Sequence, residues 1–461
     1  MLCLILFLSI IYSVHGGAEL PERARGGRAW KERNAMLKTK VGGECETKTW
    51  QATLDHFSDD KTTFSQRYFV VSDYFKEGSP VFLYIGGEGT ASCPSGYVTH
   101  LAQNYSAMVV TLEHRYYGKS VPNDNSYTEN LKYLTVQNAL ADLNTFTKYF
   151  LNYKNLTDTT KVFAFGGSYP GGLASWYRIS YPQASVGSLS SSGVVDVKAD
   201  YPEFDQAVSA AVSNACADRI RKLQKSYEDN VSQGKLQESL SSFNCEKDMS
   251  VQDFYYMIAD SWSMAVQYSS KSQLCSAILS VDEDATPDVL MSTFSEFSKE
   301  YWGDDFCNGG FYNTKALADP KRWDTNSRSW RYQTCAQVGW FNTAPKSGSL
   351  RGETVNLKYH LDQCAEVFKI PNMFPDIKGM RKEFGGDTPT ASQVFYSDFS
   401  DDPWAKVSVQ YPVTSSQPYK MAMANDLGHC SDLHEPSDSD SDALKEERAE
   451  FEQYLYKWLS L

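Results

Sequence analysis

The 461-residue sequence predicts an α/β fold: a mostly parallel sheet covered on both faces and interrupted by a long helical insertion. Three observations carry this expectation. Short apolar runs alternate with amphipathic stretches up to about residue 200, the pattern that buries both faces of a parallel sheet. After about Tyr201 the segments become longer, helix-like and rich in Ser, Gln and Lys, with no convincing strand alternation until about Phe374. Strand signal then returns at Gln393 to Tyr396 and at Lys420 to Ala424.

The elements follow in order. Leu2 to Val14 is apolar and uncharged, and Val14-His15-Gly16 offers small residues for cleavage. Residues 1–16 therefore read as a secretory signal peptide, too short to span a membrane comfortably. Residues 17–46 are polar and mildly basic, with Arg23, Arg25, Arg28, Lys31 and Arg33, and read as a flexible leader. The first part of the sheet domain is expected over 47–200, with order from about Trp50. Arg67 to Val71, Pro80 to Ile85 and Met108 to Leu112 are its early strands. Thr135 can cap a helix that places Val136, Leu140, Leu143, Thr147 and Phe150 on one stripe. Val162 to Phe165 and Val186 to Leu189 are further strands. Residues 201–374 are the expected helical insertion, and 375–461 the second part of the sheet domain. A last helix, Ala443 to Leu459, places Leu444, Phe451, Leu455 and Trp458 on one face. The acidic stretch Glu435 to Asp442 reads as a solvated loop.

Composition narrows the function classes. The net charge is −13, and no basic stripe is evident, which argues against nucleic acid as a partner. No later run approaches membrane-spanning length, so no membrane anchor is expected. Of ten cysteines, Cys3 goes with the signal. The other nine are Cys45, Cys93, Cys216, Cys245, Cys275, Cys307, Cys335, Cys364 and Cys430. They contain no C-x-x-C pair, so disulfides are expected rather than a metal site, and the odd number leaves one without an intrachain partner. Six of the nine fall in the insertion, which predicts a disulfide-stapled cap. Sequons at Asn104, Asn155 and Asn230 fit a secretory route, to a secreted or lysosomal destination. No cofactor is expected.

The run Val162 to Trp176, VFAFGGSYPGGLASW, is the most informative segment. An apolar strand, two glycines, Ser168 and a small-residue helix start make a nucleophile elbow. Such an elbow belongs to the α/β-hydrolase fold and aims a helix N-terminus at the serine. Pro170 stands where the usual G-x-S-x-G pattern has its last glycine, and proline is tolerated in a first helical turn. The N–H of Tyr169 is the expected oxyanion donor. Gly87, in the Gly86-Gly87-Glu88-Gly89 stretch after an early strand, is the expected second donor. Glu88 is read as structural, with contact to a substrate amine as the alternative.

A serine nucleophile needs a base, and the base needs an orienting acid, in the chain order Ser, Asp or Glu, His. His429 fits the base because it follows the strand Lys420 to Ala424. His434 is the runner-up, and His360 lies inside the insertion. The acid should follow the strand Gln393 to Tyr396, where Asp398, Asp401 and Asp402 compete.

Several separated motifs then resemble one family, that of lysosomal Pro-Xaa carboxypeptidase and dipeptidyl-peptidase II, most nearly its thymus-specific branch. They are Leu54-Asp-His-Phe57, Ile85-Gly-Gly-Glu-Gly89, Glu113-His-Arg-Tyr-Tyr-Gly118, Gly166-Gly-Ser-Tyr-Pro170, Tyr332-Gln-Thr-Cys335, Asp402-Pro-Trp404 and Gly428-His-Cys430. The resemblance runs from about Trp50 to the C-terminus. It implies a serine exopeptidase acting on short peptides, with Ser168 as nucleophile, Asp402 as acid and His429 as base. It also implies cleavage after proline, and a helical domain that caps the site. The chain departs from the family at Asp398-Phe399, where Asn-Gly is frequent, and at Ala336-Gln337, where several members have Thr-Glu. Gly167 stands where the related acid serine carboxypeptidases carry a glutamate that binds a C-terminal carboxylate, so that pocket is not implied. The expected partners are peptide substrates, with a homodimer left open. An esterase or lipase on the same fold, or a binding protein that keeps the fold, are the alternatives.

Overall fold

The β-branched and aromatic runs that read as strands pair into one eight-stranded sheet of order β1-β2-β4-β3-β5-β6-β9-β10. The computed structural model describes residues 28, 45–157, 159–308, 310–321 and 326–460. The signal peptide and nearly all of the leader lie outside the described residues. Strands β1 (Cys45–Thr53) and β2 (Thr63–Val71) form an antiparallel hairpin in register from Cys45 opposite Val71 to Thr53 opposite Thr63. Strand β2 then pairs antiparallel with β4 (Met108–Leu112). All remaining pairs are parallel: β4 with β3 (Val81–Ile85), β3 with β5 (Val162–Gly167), β5 with β6 (Gly187–Ser191), β6 with β9 (Val394–Phe399), and β9 with β10 (Tyr419–Ala422).

Alternate residues of the central strands serve opposite faces, as the two-residue period of a strand requires. Phe82, Phe163, Phe165 and Phe395 pack with Tyr97 and Leu101 of helix Tyr97–Tyr105 and with Phe451, Leu455 and Trp458 of the last helix. Leu83, Val110 and Ala164 face the helix Val136–Tyr153 and the elbow helix Tyr169–Ser180. The Thr135 hydroxyl accepts from the N–H of Asn138, and all five stripe residues of that helix are buried. Helices on both faces of a largely parallel sheet, with the elbow at the end of a central strand, make an α/β-hydrolase fold.

The insertion is helical, with Glu203–Ala211, Asn214–Ser232, Val251–Gln267, Lys271–Leu279, Pro287–Trp302 and Leu357–Phe368 as its main helices. Its core, including Trp262, Phe294 and Trp302, is continuous with the sheet face that carries the elbow helix. Disulfides Cys216–Cys275, Cys245–Cys307 and Cys335–Cys364 cross-link this cap, and Cys45–Cys93 ties β1 to the loop after β3. Cys430 is free and buried.

Three details differ from the sequence expectation. No strand was expected before Arg67, yet β1 runs over Cys45–Thr53 and starts inside the expected leader, held there by its ladder to β2 and its disulfide. The insertion contains a short strand, β8 (Gly339–Phe341), which pairs parallel with β7 (Lys198–Asp200) across the expected boundary at residue 201. Two three-residue strands are too short to show a period. A further helix, Ile377–Phe384, continues past residue 374 and packs Phe384 against Trp176 of the elbow helix, with ring centroids 5.0 Å apart.

Peptide mapping without reduction should return the four pairings above, with Cys430 open to alkylation only after unfolding. The Cys216–Cys275 link closes a 59-residue separation. Replacing both cysteines by serine should lower stability by about 2–4 kcal/mol in urea unfolding.

Candidate active site

Strand β5 ends in Gly166-Gly167, and the chain turns at Ser168 with φ 64° and ψ −127°. This is a left-handed conformation for a non-glycine residue, sustained only where surrounding contacts over-determine it. Here the Ser168 N–H donates to the Ser191 carbonyl at 2.9 Å, and its carbonyl accepts from Gly172 at 3.0 Å and Val194 at 3.3 Å. The elbow helix packs tightly on β6. A Cβ on Gly171 would lie 2.8 Å from both the Gly193 Cα and the Ser191 carbonyl. The requirement for a small residue is thus met by Gly171, and Pro170 is free to sit in the first turn. Pro170 in turn packs on Gly87, whose Cβ would stand 2.6 Å from the Pro170 Cγ. The glycine loop after β3 therefore rests on the N-terminal turn of the elbow helix. That places the two sequence-predicted oxyanion donors, Tyr169 and Gly87, at the same end of the helix. The N–H of Tyr169, as the first helical residue, has no partner within the helix.

Among the competing acids, Asp402 meets His429, the expected base: its Oδ2 lies 2.8 Å from His429 Nδ1, with both side chains fully buried. Its Oδ1 accepts from the Trp404 N–H at 2.9 Å. Asp401 instead forms an ion pair with Lys271 of the cap at 2.8 Å. Asp398 is fully buried in β9, and burial, then the charge of Asp402, pushes its carboxyl well above the ordinary range. For His429, burial works against the charged form, but the Asp402 carboxylate outweighs it and raises the imidazole well above its ordinary value. The neighbouring Cys430 thiol is pushed up by burial and stays neutral.

The two halves of the site meet through the residues flanking them. Gly167, which precedes the serine, lies against Cys430, which follows the histidine; a Cβ there would stand 2.9 Å from the Cys430 Sγ. The Cys430 N–H donates to the Ser192 hydroxyl at 2.8 Å, just past the end of β6. Asp432 ties the same loop down by accepting from the hydroxyls of Ser191 and Ser397, the latter at 2.7 Å. His429 Nε2 makes no geometric hydrogen bond among the described residues.

The other candidates lie elsewhere. His360 is buried in the cap, between Arg331 at 3.1 Å and the Asn342 carbonyl at 3.1 Å, and burial lowers it well below the ordinary range. His434 lies beyond Asp432, its carbonyl accepting from Arg448 at 2.8 Å. Asn104 and Asn155 are exposed, whereas Asn230 is half-buried with its amide 3.7 Å from the Met291 sulfur. Among the described residues no cluster of His, Cys, Asp and Glu could hold a metal ion.

Two features were not found by sequence reasoning. The first is the work done by the Glu113–Gly118 motif. Glu113 is buried and takes the Arg67 guanidinium, the Lys119 N–H at 3.0 Å and the Ser120 hydroxyl at 2.7 Å. Arg115 holds Asp142 through two 2.7 Å bonds. His114 reaches the Tyr169 hydroxyl at 3.0 Å and is pushed down to about 4 by burial. The second is an aromatic arc that runs from the elbow to the base. Ring centroids lie 5.6 Å apart for Tyr169 and Trp330, 6.2 Å for Trp330 and Trp340, 6.5 Å for Trp340 and Trp404, and 6.3 Å for Trp404 and His429. Trp340 holds φ 54°, and its indole N–H donates to the Asp196 carbonyl at 3.0 Å. Gln333, from the Tyr332–Cys335 motif, donates to the Tyr169 hydroxyl at 2.8 Å and accepts from Tyr117. The departures from the family at Ala336 and Gln337 are occupied structurally: Gln337 accepts from the Val136 N–H at 2.8 Å, and the Ala336 carbonyl from Asp376 at 3.0 Å.

Comparison with known proteins gives a consistent placement. A relative from Arabidopsis thaliana, "Probable serine protease EDA2", is 35% identical over 398 residues, covering 83% of this chain and 79% of its own. The human thymus-specific serine protease is 27% identical over 446 residues, covering 88% and 85%. The human lysosomal Pro-X carboxypeptidase is 38% identical over 154 residues, covering 32% and 31%. Residues 52–451 match the family described as serine carboxypeptidase S28, a stretch that takes in both parts of the sheet and the cap between them. On that match the chain belongs to the serine carboxypeptidase S28 family and is a serine peptidase.

Proposed function

We propose that this serine peptidase uses Ser168, His429 and Asp402 as its triad and cleaves short peptides from a chain end, after proline. What supports the triad is that Gly167, which precedes Ser168, lies against Cys430, which follows His429, and that His429 is buried on Asp402. In this reading Ser168 Oγ attacks the peptide carbonyl and His429 Nε2 takes its proton. The same imidazole returns the proton to the leaving amine, and water then hydrolyses the acyl-enzyme. Asp402 accepts from the Nδ1–H and so fixes the tautomer. The N–H groups of Tyr169 and Gly87 would hold the oxyanion.

The preference for proline is supported by the run of aromatic side chains between the elbow and His429, an apolar surround of the kind that takes a compact ring. It also agrees with the name of one relative, the lysosomal Pro-X carboxypeptidase. The cap seated on the elbow side of the sheet would restrict entry to short peptides or chain ends. The disulfide framework fits the secretory pathway, and we infer a secreted or lysosomal destination.

Fluorophosphonate treatment followed by mass spectrometry should place one adduct on Ser168, absent from His429→Ala. Ser168→Ala should lose turnover by about 10⁴-fold or more; normal turnover in that variant would overturn the assignment. Peptides with proline on the acyl side should exceed their alanine counterparts by at least about tenfold in kcat/KM. Faster turnover of simple acyl esters, with no peptide cleaved, would favour an esterase instead.

The base acts as neutral imidazole, and Asp402 raises its titration. Activity should therefore climb with pH through a midpoint above that of an ordinary histidine. Asp402→Asn should move that acidic limb to lower pH while reducing kcat on the order of 10⁴-fold. A pH–rate profile of the two proteins reads both effects.

A further inference from the structure

The proposed base hangs from the weakest part of the sheet. Strand β10 is a four-residue edge strand with one neighbour, β9, and the loop after it is exposed at Met423. What holds that loop from the other side is the turn that ends the cap helix Val251–Gln267. The Gln267 carbonyl accepts the His429 N–H at 2.8 Å. The Gln267 side-chain Oε1 accepts the Trp404 indole N–H at 3.0 Å, two residues from Asp402. The Ser269 hydroxyl accepts the Gly428 N–H at 2.9 Å. Lys271 pairs with Asp401, and Ser272 donates its N–H to Asp426 at 3.3 Å. Four residues within one six-residue stretch of the cap, Gln267, Ser269, Lys271 and Ser272, therefore grip both loops that carry the proposed catalytic pair.

The turn is itself locked into the cap. Ser269 holds φ 58°, the Ser270 N–H donates to the Ala265 carbonyl at 2.7 Å, and the Ser270 hydroxyl meets the Tyr301 hydroxyl at 2.6 Å. On the other side of the contact there is no slack: a Cβ on Gly428 would collide with the Gln267 carbonyl and approach the Ser269 nitrogen at 3.0 Å.

We propose that Gln267 and Ser269 are positioning residues that align His429 and Asp402 on Ser168, so that the triad is assembled only while the cap is seated. This rests on the triad reading above. The cap then does two things with one contact. It limits entry, and it sets the base in place, so a displaced cap opens the site and disarms it together. Misplacing a catalytic group by about 1 Å costs on the order of 100-fold in rate.

The test uses the full-length, disulfide-intact protein and reads three quantities: the rate constant for fluorophosphonate labelling of Ser168, the kcat and KM for a proline peptide, and the thermal midpoint. Gln267→Ala with Ser269→Ala keeps the main-chain bond to His429 but removes the side-chain bonds to Trp404 and Gly428, and should slow labelling by about 10- to 100-fold and lower kcat in step, with KM within about twofold. Gly428→Ala, which pushes the loop off the clamp from the other side, should do the same. Should the double variant fail to fold, Ser269→Ala and Gly428→Ala alone carry the test. Folded variants that label at the wild-type rate, differing only in thermal midpoint, would overturn the proposal. Wild-type protein with no adduct on Ser168, or one that survives in His429→Ala, would instead overturn the triad reading, so the two failures are distinct.

Discussion

The site depends on a single backbone conformation, that of Ser168. A φ of 64° at a non-glycine residue costs on the order of 1–3 kcal/mol, and something must hold it. The holding is local and dense. The Ser168 N–H and carbonyl bond to the ends of β6 and to its own helix, and Gly171 lets the helix axis come down onto Gly193 and Ser191. Much of the neighbouring composition follows from that. Strand β6 is almost all glycine and serine because larger side chains would lift the helix, and those serines then find uses. Ser190 donates to the Gly171 carbonyl at 2.8 Å, and Ser191 and Ser397 donate to Asp432 below the base loop.

Buried charge is managed in the same region by pairing rather than by exclusion. Arg115 with Asp142, Arg67 with Glu113, and Arg351 with Asp205 each place a guanidinium on a buried carboxylate, with further hydrogen bonds to backbone carbonyls or N–H groups. Such pairs contribute little net stability against apolar replacements, but removing one partner leaves an uncompensated charge. Their value here is geometric. Arg115 ties the carbonyls of Thr53 and Leu54 at the end of β1 to helix Val136–Tyr153, and its neighbour His114 contacts Tyr169. In the His429–Asp402 pair one ring nitrogen, Nε2, has no hydrogen-bond partner among the described residues.

The central strands were legible in the sequence because they are apolar runs of ordinary length separated by turn residues, whereas the polar edge strand β1, CETKTWQAT, was not; the elbow was legible because strand, glycines and small helix residues occur together. The expectation of Ser168 came from the elbow, and that of His429 from its place after a C-terminal strand in the order Ser, acid, His. Asp402 did not separate from Asp398 and Asp401 by local pattern, because what distinguishes them is three-dimensional: one faces the base, one faces Lys271, and one is sealed in β9. The family resemblance chose among them, and the buried pair agrees with that choice. The β7–β8 pairing was invisible because three residues carry no period. The aromatic arc was invisible for a different reason. Its members come from four separate segments, and only the backbone twist at Gly339 and Trp340 turns the third ring toward the others.

The cap illustrates how stability and chemistry become linked in one contact surface. Its core is continuous with the sheet core, so its seating is driven by the burial of apolar side chains such as Trp262 and Phe294. That force is non-directional and sets no angles. Direction comes from the few polar groups at its lower edge, where Gln267, Ser269 and Lys271 meet His429, Gly428 and Asp401. Three disulfides within the cap, Cys216–Cys275, Cys245–Cys307 and Cys335–Cys364, cross-link the segments around those groups. A hydrophobic surface thus supplies the holding force, and a short polar turn sets the direction in which the cap meets the loops of His429 and Asp402.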